Sequence, residues 1–175
     1  MIESKRLLFR PITYDDTDMV LKWRNSKAIQ GNFIYRKEVT REEHLNWLKT
    51  RVDTGEVLQF IIVEKDSDRP IGSVYVRDID DERTTGEYGI FIGEEDARSR
   101  GYGTETAERI VEYFFDDLKF RKLSLRVFAR NMSAIRSYEK AGFIVDGTHR
   151  DRININGTDE EIIFMFALNK DNADG

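Results

Sequence analysis

Residues Gly86 to Leu118 read GEYGIFIGEEDARSRGYGTETAERIVEYFFDDL, and this stretch decides the fold. Gly86 to Gly93 is a β-rich run, followed by a loop, Glu94 to Arg100, that is first acidic and then basic. Gly101 and Gly103 flank Tyr102 at the entry to an amphipathic segment. There Ala107, Ile110, Val111, Phe114, Phe115 and Leu118 recur at the spacing of one helical face. A glycine-rich turn between a strand and a helix aims several backbone N–H groups at one point, and the helix N-terminus adds partial positive charge. The stretch therefore predicts a strand–turn–helix unit that holds a phosphate-bearing ligand.

Working outward, Lys122 to Ala129 alternates as a strand. Strand, helix and strand then make a right-handed parallel crossover, with a ligand entering between the strand ends. Upstream, Arg6 to Ile12 reads as a strand, and Thr13 is a cap for a helix over Tyr14 to Asn25. Thr40 to Glu43 fits a capping box opening a second helix that stops near Gly55. Ser26 to Val39 between them is an unpatterned connection, of a length that often carries function. Val57 to Lys65 and Ile71 to Ile79 form a hairpin. Downstream come a helix over Asn131 to Lys140, ended by Gly142, and a hairpin of Phe143 to Ile155 with Thr158 to Leu168 around Asn156-Gly157, a type I′ signal. Asn169 to Gly175 is expected to be a flexible tail. The order predicts one α/β domain over residues 1–175: a mixed, mostly antiparallel sheet with a central parallel strand pair, flanked by helices.

Composition narrows the chemistry. Net charge is −5 with no basic block, which disfavours a nucleic-acid partner held through phosphates. The absence of Cys excludes disulfides, thiolate nucleophiles and thiolate zinc sites. His44 and His149 lie far apart, so no metal site is expected. Met1 to Leu8 lacks an apolar signal core and no run is long enough to span a bilayer. A cytoplasmic protein without a membrane partner is the expectation.

Arg98-Ser99-Arg100-Gly101-Tyr102-Gly103 resembles the Gln/Arg-x-x-Gly-x-Gly/Ala signature of the GNAT superfamily of N-acetyltransferases. Asn131 to Phe143 (NMSAIRSYEKAGF) resembles that superfamily's Asn-x-x-Ala-x-x-x-Tyr-x-Lys-x-Gly-Phe segment. The resemblance implies the GNAT fold and acetyl-CoA as co-substrate, with no metal. Backbone groups of Arg98, Ser99, Arg100, Gly101, Tyr102, Gly103 and Thr104 would hold the pyrophosphate. Those of Phe91, Ile92 and Gly93 would pair with the pantetheine and polarise the thioester. Asn131 and Ser133 would also bind the donor, and Tyr138 would protonate the departing thiolate. Independently, a phenol of pKa about 10 stays protonated at neutral pH and can donate to a thiolate, though Tyr138 also suits plain packing with Ala134 and Ile135. Glu87 is the candidate base for the amine, directly or through water, or else a surface carboxylate. His149 and then His44 are weaker candidates. The side chains of Arg98 and Arg100 either contact phosphate or are solvated.

The acceptor is read from other residues. Trp23-Arg24-Asn25-Ser26, Phe33-Ile34-Tyr35 and His44 to Leu48 look like the amino-sugar N-acetyltransferases of pseudaminic-acid biosynthesis. That likeness implies a UDP-linked 4-amino-4,6-dideoxy sugar, met by Arg24, Asn25, Tyr35 and Glu87. Arginine pairs with diphosphate and aromatic rings stack on base or sugar. Arg6 to Pro11 instead resembles the ribosomal-protein and peptide N-terminal acetyltransferases, and antibiotic or polyamine acetylation is a further alternative. A sensor that binds acyl-CoA without turnover is the reading from another class; the presence of Tyr138 and Glu87 argues against it. A homodimer through an edge strand is compatible with the sequence, which does not decide it.

Overall fold

A computed structural model of the chain describes residues 1–35 and 37–172. Its centre is one eight-stranded sheet in the order β1-β2-β3-β4-β5-β6-β8-β7. The strands are β1 (Ile2–Glu3), β2 (Leu7–Pro11), β3 (Leu58–Glu64), β4 (Arg69–Arg77), β5 (Thr85–Ile92), β6 (Lys122–Phe128), β7 (Ile144–Ile155) and β8 (Thr158–Leu168). The helices are α1 (Thr17–Arg24), α2 (Lys27–Gln30), α3 (Arg41–Trp47), α4 (Tyr102–Glu112) and α5 (Met132–Lys140). Every neighbouring pair is antiparallel except β5 and β6, which are parallel. The mixed sheet and its parallel pair match the expected architecture, and Asn156 and Gly157 take the positive φ values a type I′ turn needs.

The sheet is covered on both sides, so its strands feed two cores. On one side Ala107 and Ile110 from α4, Phe114 from the turn that continues it and Ile135 from α5 pack on Val74, Val76, Tyr88, Leu123 and Leu125. On the other, Val20 and Trp23 of α1, Ile29 of α2 and Leu48 pack on Ile61, Val63 and Phe91. Each fully buried large apolar side chain contributes about 1.5–3 kcal/mol. Together these clusters fix the sheet as the platform for everything else.

Several expectations are modified. The helix expected over Tyr14 to Asn25 begins as a 3₁₀ turn, Tyr14–Asp16, in which the Asp16 carboxylate accepts from the Thr13 N–H at 2.8 Å. The helices α3 and α4 each continue as a π turn, Leu48–Val52 and Tyr113–Asp117. The connection Ser26 to Val39 contains α2, capped by Ser26. The tail is pinned at its start. Asn169 is 6% exposed, and its amide donates to the Phe115 and Phe120 carbonyls at 3.1 and 2.9 Å. Residues 173–175 of the expected tail lie outside the described residues.

Candidate active site

The parallel pair opens into a wedge. Pairing between β5 and β6 runs from Thr85↔Lys122 to Glu87↔Ser124 and stops there, although the strands continue to Ile92 and Phe128. The open ends border a cavity of about 920 Å³ that passes from one side of the sheet to the other. Its donor-side wall comes from the turn before α4 and from α5. Its opposite wall comes from α1, α3 and the segment between them.

The turn is shaped by its backbone. Ser99 and Gly101 have φ of 61° and 81°, and Gly101 is the left-handed N-cap of α4. The first-turn N–H groups of α4 lack intrahelical acceptors and point to the same mouth. Gly103 lines the cavity, and a Cβ there would meet nothing within 4 Å, so the space in front of its backbone is open. On the other wall of the wedge, the Asn131 side chain caps α5 by accepting from the Ala134 N–H at 3.3 Å. Gly142, with φ of 103°, closes α5 in a Schellman motif through Gly142 N–H to Glu139 and Phe143 N–H to Tyr138. Cap and stop fix the register that places Asn131, Ser133, Ser137 and Tyr138 on the cavity. Tyr138 is half-buried, edge-on to Tyr88 at 6.0 Å and to Phe143 at 5.9 Å. Burial, reinforced by Tyr75, holds its phenol well above the ordinary tyrosine range, so it is a proton-bearing hydroxyl at neutral pH.

The expected donor residues divide. Arg98, Ser99, Gly101, Tyr102, Gly103, Asn131, Ser133 and Tyr138 line the cavity. Arg98, however, does not offer its charge to the turn's mouth. Its guanidinium donates to the carbonyls of Ile92 at 2.9 Å and Gly93 at 3.1 Å, and so braces the end of β5. Arg100 points elsewhere, toward Glu64 at 3.5 Å and the Tyr102 ring. Thr104 donates to Ser137 at 3.0 Å and joins α4 to α5. The Tyr102 hydroxyl donates to Glu64 at 2.8 Å. Phe91 and Gly93 also differ from expectation. The Gly93 N–H donates to Ile71 at 2.7 Å, and a Cβ on Gly72 would sit 2.2 Å from the Phe91 carbonyl oxygen. Both residues therefore direct backbone groups to β4. Alternation of antiparallel hydrogen bonding leaves Tyr88, Ile90 and Ile92 facing the wedge.

On the acceptor side, β4 and β5 pair Arg77 with Glu87, and β6 brings Arg126 beside them. Glu87 Oε1 accepts from both guanidiniums at 3.1 Å. Arg24 leaves the end of α1, lies over the Phe33 ring at 3.5 Å and donates to the Tyr35 carbonyl at 3.2 Å. Its Nη1 is buried without a hydrogen-bond partner among the described residues, and burial lowers its pKa. His44, 5% exposed, also lines the cavity with an Nε2 that has no hydrogen-bond partner among the described residues; burial and then Arg41 lower its pKa. Tyr35, Tyr75 and Glu43 complete this end. Asn25 is not part of it, because its amide clamps Val39, donating to the carbonyl at 2.9 Å and accepting from the N–H at 2.8 Å. His149 stacks edge-on with Phe164, and Arg150 pairs with Glu161; neither borders the cavity.

A backbone anion cradle at the mouth of a wedge, with a proton-bearing phenol deeper in, fits a long pyrophosphate-bearing thioester donor; this is the architecture of an acyl-CoA-dependent transferase. The chain belongs to the GNAT family: the Acetyltransferase (GNAT) domain matches residues 6–144. It is an acetyl-CoA-dependent N-acetyltransferase. It is 27% identical to the Probable N-acetyltransferase YjcK of Bacillus subtilis, over 98% of each chain. It is 25% identical to the Acetyltransferase PseH of Campylobacter jejuni, over 89% of this chain and 92% of that one. The spermidine N-acetyltransferase from Vibrio cholerae, solved with CoA and spermine, shares the fold with a TM-score of 0.84 at 22% identity, covering 95% of this chain and 97% of that one.

Proposed function

We propose that the acetyl group passes from acetyl-CoA to the amine of a nucleotide-linked amino sugar, of the UDP-4-amino-4,6-dideoxy type, by direct attack in a ternary complex. The observation that carries this is the acceptor end of the cavity, lined by Arg24, Arg77 and Arg126, where Glu87 pairs with Arg77 and Arg126 and, among the described residues, no carboxylate pairs with Arg24. A guanidinium whose buried Nη1 has no hydrogen-bond partner among the described residues favours an anionic ligand such as a diphosphate and opposes a polycation. Tyr35, half exposed at the rim, is a surface for a base or sugar ring.

The chain's residues divide the work as follows. The turn from Arg98 to Gly103 holds the donor's pyrophosphate, and the edge of β5 holds its arm. The Asn131 amide donates to the same arm, its oxygen being engaged as the α5 cap. Tyr138 donates its proton, or a strong hydrogen bond, to the departing thiolate. Glu87 draws a proton from the acceptor amine through water, since Oε1 is already engaged by two arginines. Absence of cysteine suits work in the cytoplasm. A polyamine acceptor is the second reading, favoured by the two carboxylates Glu43 and Glu87 on the cavity.

The test is thiol release from acetyl-CoA with a UDP-4-amino sugar, an N-terminal peptide, spermidine and an aminoglycoside. Turnover is expected with the sugar. Turnover confined to spermidine or to the peptide would replace the sugar reading.

A further inference from the structure

We propose that Tyr75 is the end wall of the acyl pocket, and that its ring, lying on Gly89, restricts the transferred group to two carbons. This inference rests on the placement of the donor's arm in the β5–β6 wedge. Tyr75 stands directly opposite Gly89 in the β4–β5 register. A Cβ added to Gly89 would lie 2.4 Å from Tyr75 Cζ and 2.5 Å from its hydroxyl oxygen, so the tip of the phenol rests on bare backbone. Gly89 is two residues beyond the last β5–β6 pair, Glu87↔Ser124, at the closed end of the wedge. A donor entering past Ile92 with its pyrophosphate at the turn runs toward this closed end, where its thioester stops.

The wall is firm because the ring is packed against the cluster containing Trp23 and Phe91. The phenol also sits between the two halves of the cavity. The lining around it includes Arg24, Arg77, Glu87 and Arg126 on the acceptor side and Tyr88 and Tyr138 on the donor side. Each methylene added to the acyl chain has to displace a ring already in contact with Gly89. A pocket of this kind discriminates about 10- to 200-fold per methylene at most.

Binding of S-ethyl-CoA and S-butyl-CoA, inert thioethers, measured by calorimetry separates the wall from the chemistry and from the acceptor. The wild-type chain should bind S-ethyl-CoA at least ~10-fold more tightly than S-butyl-CoA. Tyr75→Ala should bring that ratio close to one, whereas Tyr75→Phe, which keeps the ring, should retain it. Tyr75→Leu, which keeps bulk against the Trp23 cluster but not over Gly89, gives the same readout if the alanine variant does not fold. A wild-type-like ratio in the alanine or leucine variant, with unaltered affinity for CoA, removes Tyr75 as the wall and leaves the donor site standing. Failure of the wild-type chain to bind CoA and S-ethyl-CoA alike overturns the donor placement and the wall together.

Discussion

The two ends of the cavity are built by different means. The donor end is mostly main chain: the Arg98 to Gly103 turn and the open edge of β5, with α5 held in register by Asn131 and Gly142. The acceptor end is side chains from distant elements: Arg24 on α1, His44 on α3, Tyr75 and Arg77 on β4, Glu87 on β5 and Arg126 on β6. Any residue but proline supplies an N–H, so a main-chain site constrains sequence mainly where a glycine or a cap is indispensable. A side-chain site changes with every substitution. One fold can therefore keep its donor while its acceptor changes.

The contrast is most directly broken at Tyr138, the donor-end side chain proposed to move a proton. Tyr138→Phe should lower kcat by about 100-fold or more while the KM for acetyl-CoA stays within about twofold. Steady-state kinetics that show the reverse split would assign Tyr138 to packing. The junction of the two ends is Gly93, where a Cβ would lie 2.1 Å from the Trp23 ring. Gly93→Ala should cost about 1–3 kcal/mol in denaturant melts, and pairing it with Trp23→Leu should recover part of that loss. An additive double variant would show that the contact is not what makes position 93 intolerant.

A smaller effect is expected at the acceptor end. Arg24→Ala should raise the acceptor KM about tenfold and leave CoA affinity unchanged, because a hydrogen bond to a charged group contributes about 1.5–3 kcal/mol. Equal losses for both ligands would instead mean that the Phe33 to Tyr35 segment has collapsed. The mildest effect concerns pH. Burial, then Arg41, lowers the His44 pKa below its ordinary value near 6.5, so the unfolded chain takes up the proton first. His44's contribution to stability is therefore complete above about pH 6.5 and declines as pH falls toward the lowered folded value. His44→Gln should flatten this part of the profile, read as melts at pH 8 and pH 5.5. A wild-type-minus-variant difference that is the same at both pH values would exclude it.

Legibility in the sequence follows the same division. Strand, turn and helix from Gly86 to Leu118 are contiguous, so periodicity and spacing give the crossover and the glycine turn, whereas Tyr138 beside them is read from the resemblance of the segment Asn131 to Phe143, its spacing alone suiting packing as well. Tyr75, Arg77 and Arg126 escaped notice because strand side chains alternate. Only the registers Arg77↔Glu87 and Tyr75↔Gly89, with β6 alongside, show that these residues share a face. Asn25 was legible as a polar residue at a helix end, but its clamp on Val39, fourteen residues on, was not. His44 looked like a lone histidine, and the open side of its ring is visible only once α3 is docked on the sheet. The last hairpin, which carries the base candidate His149, extends the sheet away from the cavity, and none of its residues is in the lining.

The guanidinium of Arg98, bridging the carbonyls of Ile92 and Gly93, changes what the first letter of the Arg-x-x-Gly-x-Gly motif encodes. An arginine next to a phosphate cradle invites an electrostatic interpretation. Its work here is to satisfy two main-chain oxygens at a strand end, which asks for length and N–H groups rather than for charge. Glutamine has a shorter reach but the same kind of donor, and it is neutral. A motif that accepts either residue is then a statement about finishing a strand.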